Sequence, residues 1–269
     1  MSVQADKINH GDPELSFVIL EYLSAEEIKI ATDSIKESGL SQAYEIIVPS
    51  NSCYKSSKKK ELMELLPDVK WIFNPVNGGF AYGMNRGLEL ARGKYLIIMN
   101  SDVRLLSGIQ GMIAYAESRE NIGAIGPQTI NNKGEIQDSF RSFVTPFSLA
   151  WRNLIRIFAG IHGPGRKGLS SEIHVTDWLA GSFIMVSRTA YSTVGALDER
   201  YFLYAEDMDW CYRFKQAGFE VVYYPIMKIA FEGTRRARKI SKYTWYFLKS
   251  HFLFWNKFGY FSLNRANAN

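Results

Sequence analysis

Residues Lys94–Asp102 read KYLIIMNSD: an apolar run from Tyr95 to Met99 that stops at Asn100-Ser101-Asp102. The run is too short for a helix and lacks polar alternation, so it predicts a strand buried on both faces. A strand of that kind needs helices on either side of its sheet, and the flanking sequence supplies them. Upstream, LSFVILEYL (15–23) is a second such strand, followed by apolar positions at helical spacing over Ala25–Ser38 and a stop near Gly39. YEIIVPSNS (44–52) predicts a strand breaking at Pro49, Lys58–Leu66 a helix stopped by Pro67, VKWIFNP (69–75) a strand, and GFAYGMNRGLELARG (79–93) a helix. Strand and helix alternate, which predicts an α/β fold with a doubly wound, mostly parallel central sheet. Sheets of this class bind ligands at the carboxyl ends of their strands, where Asn100, Ser101 and Asp102 fall.

The second half is less regular. AIGPQTINNKGEIQ (124–137) predicts a strand and a hairpin-like turn at Asn131–Gly134, WLAGSFIMVSR (178–188) a strand, RTAYSTVG (188–195) a short helix, EDMDWCYRFKQAG (206–218) a helix, and FEVVYYP (219–225) a closing strand. Thr145–Gly168 mixes apolar and basic residues and reads as an amphipathic segment ending in a glycine-rich loop. One domain over 1–235 is expected, with two functional halves (16–130 and 131–235), then a basic aromatic helix over 236–269.

Composition narrows the class. With 46% hydrophobic residues in 269, the chain can bury a sizeable core. The polar start MSVQADKINHGDPE has no apolar signal-peptide region, and no apolar run reaches the ~20 residues that span a bilayer. Two cysteines, Cys53 and Cys211, form neither a disulfide framework nor a metal spacing, so a reduced, cytoplasmic setting is expected. The net charge of +5 is uneven: from Lys228 onward nine Lys or Arg face Glu232 alone. That asymmetry points to a local anionic partner at the C-terminal end and away from a general nucleic-acid surface.

Three constellations carry chemistry. In NPVNGGFAYGMNRG (74–87), Gly79 precedes a helix whose free N–H groups suit an anion, and Asn74, Asn77 and Asn85 add side-chain amides. Gly83 and Gly87 within it serve either close ligand approach or tight helix–sheet packing. No Walker-type or G-x-G-x-x-G loop is present. Asp102 is placed either to hold a hard divalent ion on a nucleotide diphosphate, which needs only one or two protein carboxylates, or to cap the next helix. In FLYAEDMDWCYRF (202–214) three carboxylates sit among aromatic residues. Asp209 and Arg213 have the i,i+4 spacing of a structural pair. Glu206 and Asp207 cannot both be one helix cap, and a carboxylate among aromatics tends to a raised pKa, as a general base requires.

The ordered set Asn74-x-x-Asn77-x-Gly79-Phe80-Ala81 through Asn85 and Gly87, Met99-Asn100-x-Asp102, Gly126-Pro127, Trp178-Leu179-Ala180-Gly181-Ser182 and Glu206-Asp207-x-Asp209 resembles the family 2 glycosyltransferases, in their rhamnosyltransferase-like subgroup. The likeness covers roughly residues 16–231. It implies a GT-A fold and inverting transfer from a nucleotide-diphosphate sugar, dTDP-rhamnose first and a UDP-sugar second, to a glycan or lipid-linked glycan acceptor in polysaccharide synthesis. It implies a divalent metal (Mg²⁺ or Mn²⁺) held by Asp102, Asp207 as general base, and a sugar and acceptor cleft lined by Trp178, Gly181, Ser182 and Glu206. The nucleotide would be held by Glu21, Asn51, Asn74, Asn77, Gly79, Asn85, Asn100 and Ser101.

The chain departs from the pattern in three places. The second strand ends in Val48-Pro49-Ser50-Asn51 without the usual Asp, which leaves Glu21 as the nearest candidate for a base contact. Asn100 replaces the first Asp of the diphosphate motif. Where many relatives carry a His after the last strand, this chain has Ile229–Gly233, so Glu232, Arg235 or Arg236 are the candidates near the diphosphate. A sugar-phosphate nucleotidyltransferase or a catalytically inactive assembly subunit stands as the alternative. The tail, with Trp245, Phe252, Trp255 and its clustered basic residues, fits either peripheral contact with an anionic membrane or a helix docked on the domain.

Overall fold

The computed structural model describes residues 12–143, 145–147, 170–231 and 242–260. The first half runs β1 (Leu15–Leu20), α1 (Ala25–Glu37), β2 (Tyr44–Ser50), α2 (Ser56–Leu65), β3 (Val69–Phe73), α3 (Phe80–Leu88), β4 (Tyr95–Asn100), β5 (Arg104–Leu105) and α4 (Gln110–Glu117). The second runs β6 (Ile122–Ile130), β7 (Phe140–Arg141), β8 (His174–Val175), β9 (Trp178–Leu179), β10 (Phe183–Ser187), α5 (Arg188–Val194), α6 (Glu206–Gln216), β11 (Glu220–Ala230) and α7 (Lys242–Phe258).

Side chains alternate across a strand, so a strand apolar at every position feeds two cores at once. Phe17 and Ile19 of β1 and Ile97 and Met99 of β4 face one core, closed by Ile28 and Ile35 of α1 and Met112 of α4. Val18, Leu96 and Ile98 face the other, closed by Met84 and Leu88 of α3, Trp210 and Phe214 of α6 and Phe254 of α7. The main sheet runs β3-β2-β1-β4-β10-β6-β11-β5, with β8 also on β11. Strands β3, β2, β1 and β4 are parallel, while β10 lies antiparallel between β4 and β6. The mostly parallel sheet expected from the alternation is present.

Two expectations are corrected, and one helix goes beyond them. The second strand does not break at Pro49, which stays in register with Ile72 while its carbonyl accepts from the Glu21 N–H at 2.9 Å. The run 178–188 is two strands in two sheets: β9 pairs with β7, while β10 enters the main sheet. Helix α4, with no strong polar–apolar contrast to announce it, was not anticipated. The turn at Asn131–Gly134 is as expected, closed by the Asn131 N–H donating to Glu135 O at 2.9 Å. Most of the 145–168 segment lies outside the described residues.

Candidate active site

The break between β9 and β10 is the centre of the site. Ala180–Ser182 cross from one sheet to the other, and the Gly181 N–H turns to donate to Asp207 Oδ2 at 2.8 Å. A Cβ on Gly181 would stand 3.2 Å from the Asp207 carboxylate, so glycine lets the backbone approach this closely. On the other side, the Asn100 N–H donates to Ser182 O at 3.0 Å. One short backbone path therefore ties the end of β4, with Asp102 two residues on, to Asp207.

Asp207 is the second residue of α6, and the turn into that helix is strained. Tyr204 and Ala205 have φ of 72° and 65°, left-handed values that cost non-glycine residues roughly 1–2 kcal/mol each. Strain of this kind persists only where the surroundings over-determine it. Here the Phe80 N–H donates to Phe202 O, Ser250 Oγ of α7 to Leu203 O, and the Asp209 N–H to Ala205 O, each at 2.8 Å. The rings of Tyr246 and Phe247 on α7 meet those of Phe202 and Tyr204 at 4.8 and 6.0 Å. Gly79, at φ 97°, presses its backbone on Phe202, and any side chain there would strike the Phe202 carbonyl.

Electrostatics divide the three carboxylates. Burial raises the Asp207 pKa, and the N–H groups of Gly181 and Met208 and the charge of Arg141 oppose that rise only in part. Burial, reinforced by the negative charge of Asp207, raises Glu206 well above the carboxylate range, and Glu206 Oε2 is buried with no hydrogen-bond partner. Asp209, fully buried, takes the Arg213 Nε–H at 2.7 Å, Lys257 Nζ at 2.6 Å and the Tyr201 hydroxyl at 3.2 Å. The structural pair expected for Asp209 is thus a cluster of four, and one member comes from α7.

The nucleotide-side residues divide as well. Asn51 Nδ2 donates to Gly79 O at 2.9 Å, Asn74 Nδ2 to Asn51 Oδ1 at 2.8 Å, and the Gly79 N–H to Asn77 Oδ1 at 3.1 Å. These amides shape the loop before α3. Asn85 has different work from ligand contact: it is buried, donates to Leu197 O and Glu199 Oε1, and accepts from the Leu197 N–H. Gly83 and Gly87 pack α3 onto Leu20 and Val18, which decides between their two readings. Glu21 is fully buried and faces the protein, so a direct base contact is not its position. Its carboxylate accepts from Ser50, Ser52 and Tyr54 hydroxyls at 2.5 to 2.9 Å and so holds the loop after β2. Trp178 is likewise a buried wall: 8% exposed, its Nε1 donating to Ser142 O at 3.2 Å, with Arg141 5.2 Å above its ring.

At the end of β4, Ser101 and the exposed Asp102 line a cavity of about 210 Å³ with Glu27, Arg104 and Asn132. No cluster of three His, Cys, Asp or Glu residues that could cage a metal occurs among the described residues. One exposed carboxylate nonetheless fits an ion that takes most of its ligands from a bound diphosphate and water. Arg235, Arg236 and Glu232 lie outside the described residues. Arg141 and Lys257 were missed: Arg141 sits on a two-residue strand with no sequence signal, and Lys257 is one lysine among many in the tail.

A family model described as glycosyl transferase family 2 matches residues 16–192. The chain is 25% identical over 214 residues to the low-salt glycan biosynthesis hexosyltransferase Agl10 of Haloferax volcanii, covering 77% of this chain and 64% of that protein. It is 29% identical over 189 residues to the N-acetylglucosaminyl-diphospho-decaprenol L-rhamnosyltransferase of Mycobacterium tuberculosis, covering 61% of this chain and 58% of that one. The chain thus spans less than two thirds of the length of these relatives. A crystal structure of GalNAc-T7 with UDP, GalNAc and Mn²⁺ shares the fold, with a TM-score of 0.65 at 15% identity over 97% of this chain and 52% of that one. The strand-end motif, the asparagine loop and the Trp178–Ser182 crossover all fall within the matched stretch, which is well over half of the sequence, and the chain belongs to glycosyl transferase family 2.

Proposed function

We propose that this glycosyltransferase is inverting and metal-dependent, and that it moves rhamnose from dTDP-rhamnose, or a hexose from a UDP-sugar, to a hydroxyl of a glycan or lipid-linked glycan. The observation that carries the chemistry is Asp207, held by the Gly181 N–H at 2.8 Å and the Met208 N–H at 2.8 Å at the end of the path from β4. The likeness to an L-rhamnosyltransferase named for a lipid-linked diphosphate acceptor supports the donor and acceptor classes.

Asp207 takes the proton of the acceptor hydroxyl. That oxygen forms the new bond to the anomeric carbon as the bond to the diphosphate breaks on the opposite face. The two N–H donors fix the carboxylate so that little reorganisation accompanies proton transfer, and burial raises its basicity. Asp102 would hold a divalent ion, which when bound neutralises charge on the departing diphosphate. Arg104, at the same rim, adds a fixed positive charge.

Asp207→Asn keeps the size of the side chain and removes the base. Transfer is expected to fall by about 10²–10⁴-fold while donor affinity, read by calorimetry, stays within about twofold. Near-normal turnover in this variant would overturn the assignment.

A further inference from the structure

The outward face of α7 takes no part in the cleft described above. Its inner face is accounted for. Ser250, His251 and Phe254 are buried, and Lys257 turns inward to Asp198 and Asp209 at 2.8 and 2.6 Å. The outer face carries Trp245, Leu248 and Phe252, which are 66, 54 and 60% exposed. Exposed Lys242, Lys249 and Asn256 lie beside them. At 3.6 residues per turn, these six positions fall within about one third of the circumference. Leu248, Phe252 and Trp245 are contiguous, with the two lysines along one edge.

Three large apolar groups on one exposed helix face are more than scattered surface hydrophobes. The charge beside them says what covers the face. Residues Lys242–Phe258 include three lysines and no Asp or Glu, and the sequence just before them adds Arg235, Arg236, Arg238 and Lys239. Lysines at the edge of an apolar stripe can lay their stems along a surface while the ammonium reaches phosphate headgroups. Trp and Phe are the side chains that settle at the boundary between headgroup and acyl chain. No described helix is long and apolar enough to cross a membrane, so the contact such a face makes is lateral.

We propose that α7 lies on the surface of an anionic lipid bilayer through Trp245, Leu248 and Phe252, with Lys242 and Lys249 on the headgroup phosphates. Its inner face meanwhile grips the catalytic turn through Ser250, Tyr246 and Phe247. The helix that touches lipid therefore also braces the residues leading to Asp207. The surface binding does not depend on the donor or the chemistry proposed above, and it is read without turnover.

The test is sedimentation of the full chain with phosphatidylcholine vesicles containing or lacking ~30% phosphatidylglycerol, with tryptophan emission followed in parallel. Binding to the anionic vesicles, weakened by salt and accompanied by a blue shift that Trp245→Phe removes, is expected. Trp245→Ala/Phe252→Ala should lower the partition by about tenfold or more at unchanged thermal stability, since both side chains are exposed. Lys242→Glu/Lys249→Glu should abolish the preference for anionic vesicles. Absence of binding overturns the proposal. Binding that survives both double variants assigns the contact to another surface and overturns it too. A concentration-dependent dimer by analytical ultracentrifugation, lost in Trp245→Ala/Phe252→Ala, would give the face to a second copy of the chain instead.

Discussion

Glu206 and Asp207 are adjacent in sequence yet their environments ask different things of them. A carboxyl whose folded pKa lies above its unfolded value binds more protons folded than unfolded in the interval between the two. Its contribution to stability is then fullest below the unfolded value and is lost as pH rises toward the folded one. Glu206, raised by burial and by Asp207, is in that position. Glu206→Gln should therefore gain thermal stability over the wild type progressively as pH rises from about 4, followed by calorimetric melting at each pH. A gain independent of pH would mean that the glutamate is ionised throughout. Asp207 must be ionised to accept a proton, and its pKa is raised as well, so the acidic limb of the rate profile should lie above that of a solvated aspartate. At the other end of the backbone path, Asp102→Ala should weaken donor binding about tenfold or more in the presence of Mn²⁺ and little in its absence, by calorimetry. Equal losses in both conditions would remove Asp102 from the metal.

At the scale of elements, the sequence announced the regular half of the molecule well. Runs such as Leu15–Leu20 and Tyr95–Met99 carry apolar residues on both faces because each feeds two cores, and that property is local. The crossover at Ala180–Ser182 was hidden for the same reason that it matters. Trp178 to Ser187 is apolar on both sides of the break, and only pairing with distant β7 and β4 shows two strands. The asparagines show the opposite limit. Asn51, Asn74 and Asn85 announce a polar requirement, but whether the partner is a ligand or the backbone of residues 79 and 197 depends on contacts far away in sequence. The glycines of α3 are decided by packing, and a substitution tests that. Alanine in a helix interior is ordinarily better than glycine by about 1 kcal/mol. At Gly87, however, a Cβ collides with Val18 Cγ1 and crowds Pro49 at 3.3 Å. Gly87→Ala should therefore destabilise by about 1–3 kcal/mol in urea unfolding, and a stabilised variant would refute the packing account.

For the molecule as a whole, the final described helix is part of the structure that holds α6 and the turn before it. Asp209 is fully buried and shared by Arg213, Tyr201 and Lys257. Arg200, and then Lys257, hold the Asp198 carboxyl well below the usual range. Breaking a buried pair costs roughly 3–5 kcal/mol when it strands a charge; Arg213 remains here, so Lys257→Met should cost less, about 1–3 kcal/mol. It should also lower turnover more than donor affinity, because the Phe202–Ala205 turn loses part of its brace. In a double-mutant cycle, Lys257→Met and Asp209→Asn together should cost less than the sum of the two single losses; additive losses would place the effect of Lys257 elsewhere. The separation of 48 positions between Asp209 and Lys257 also sets an order of events during synthesis. Chains emerge from the ribosome amino end first and their domains fold as they appear. The strands of the first half and α6 are therefore synthesised before the lysine that ties α7 to Asp209.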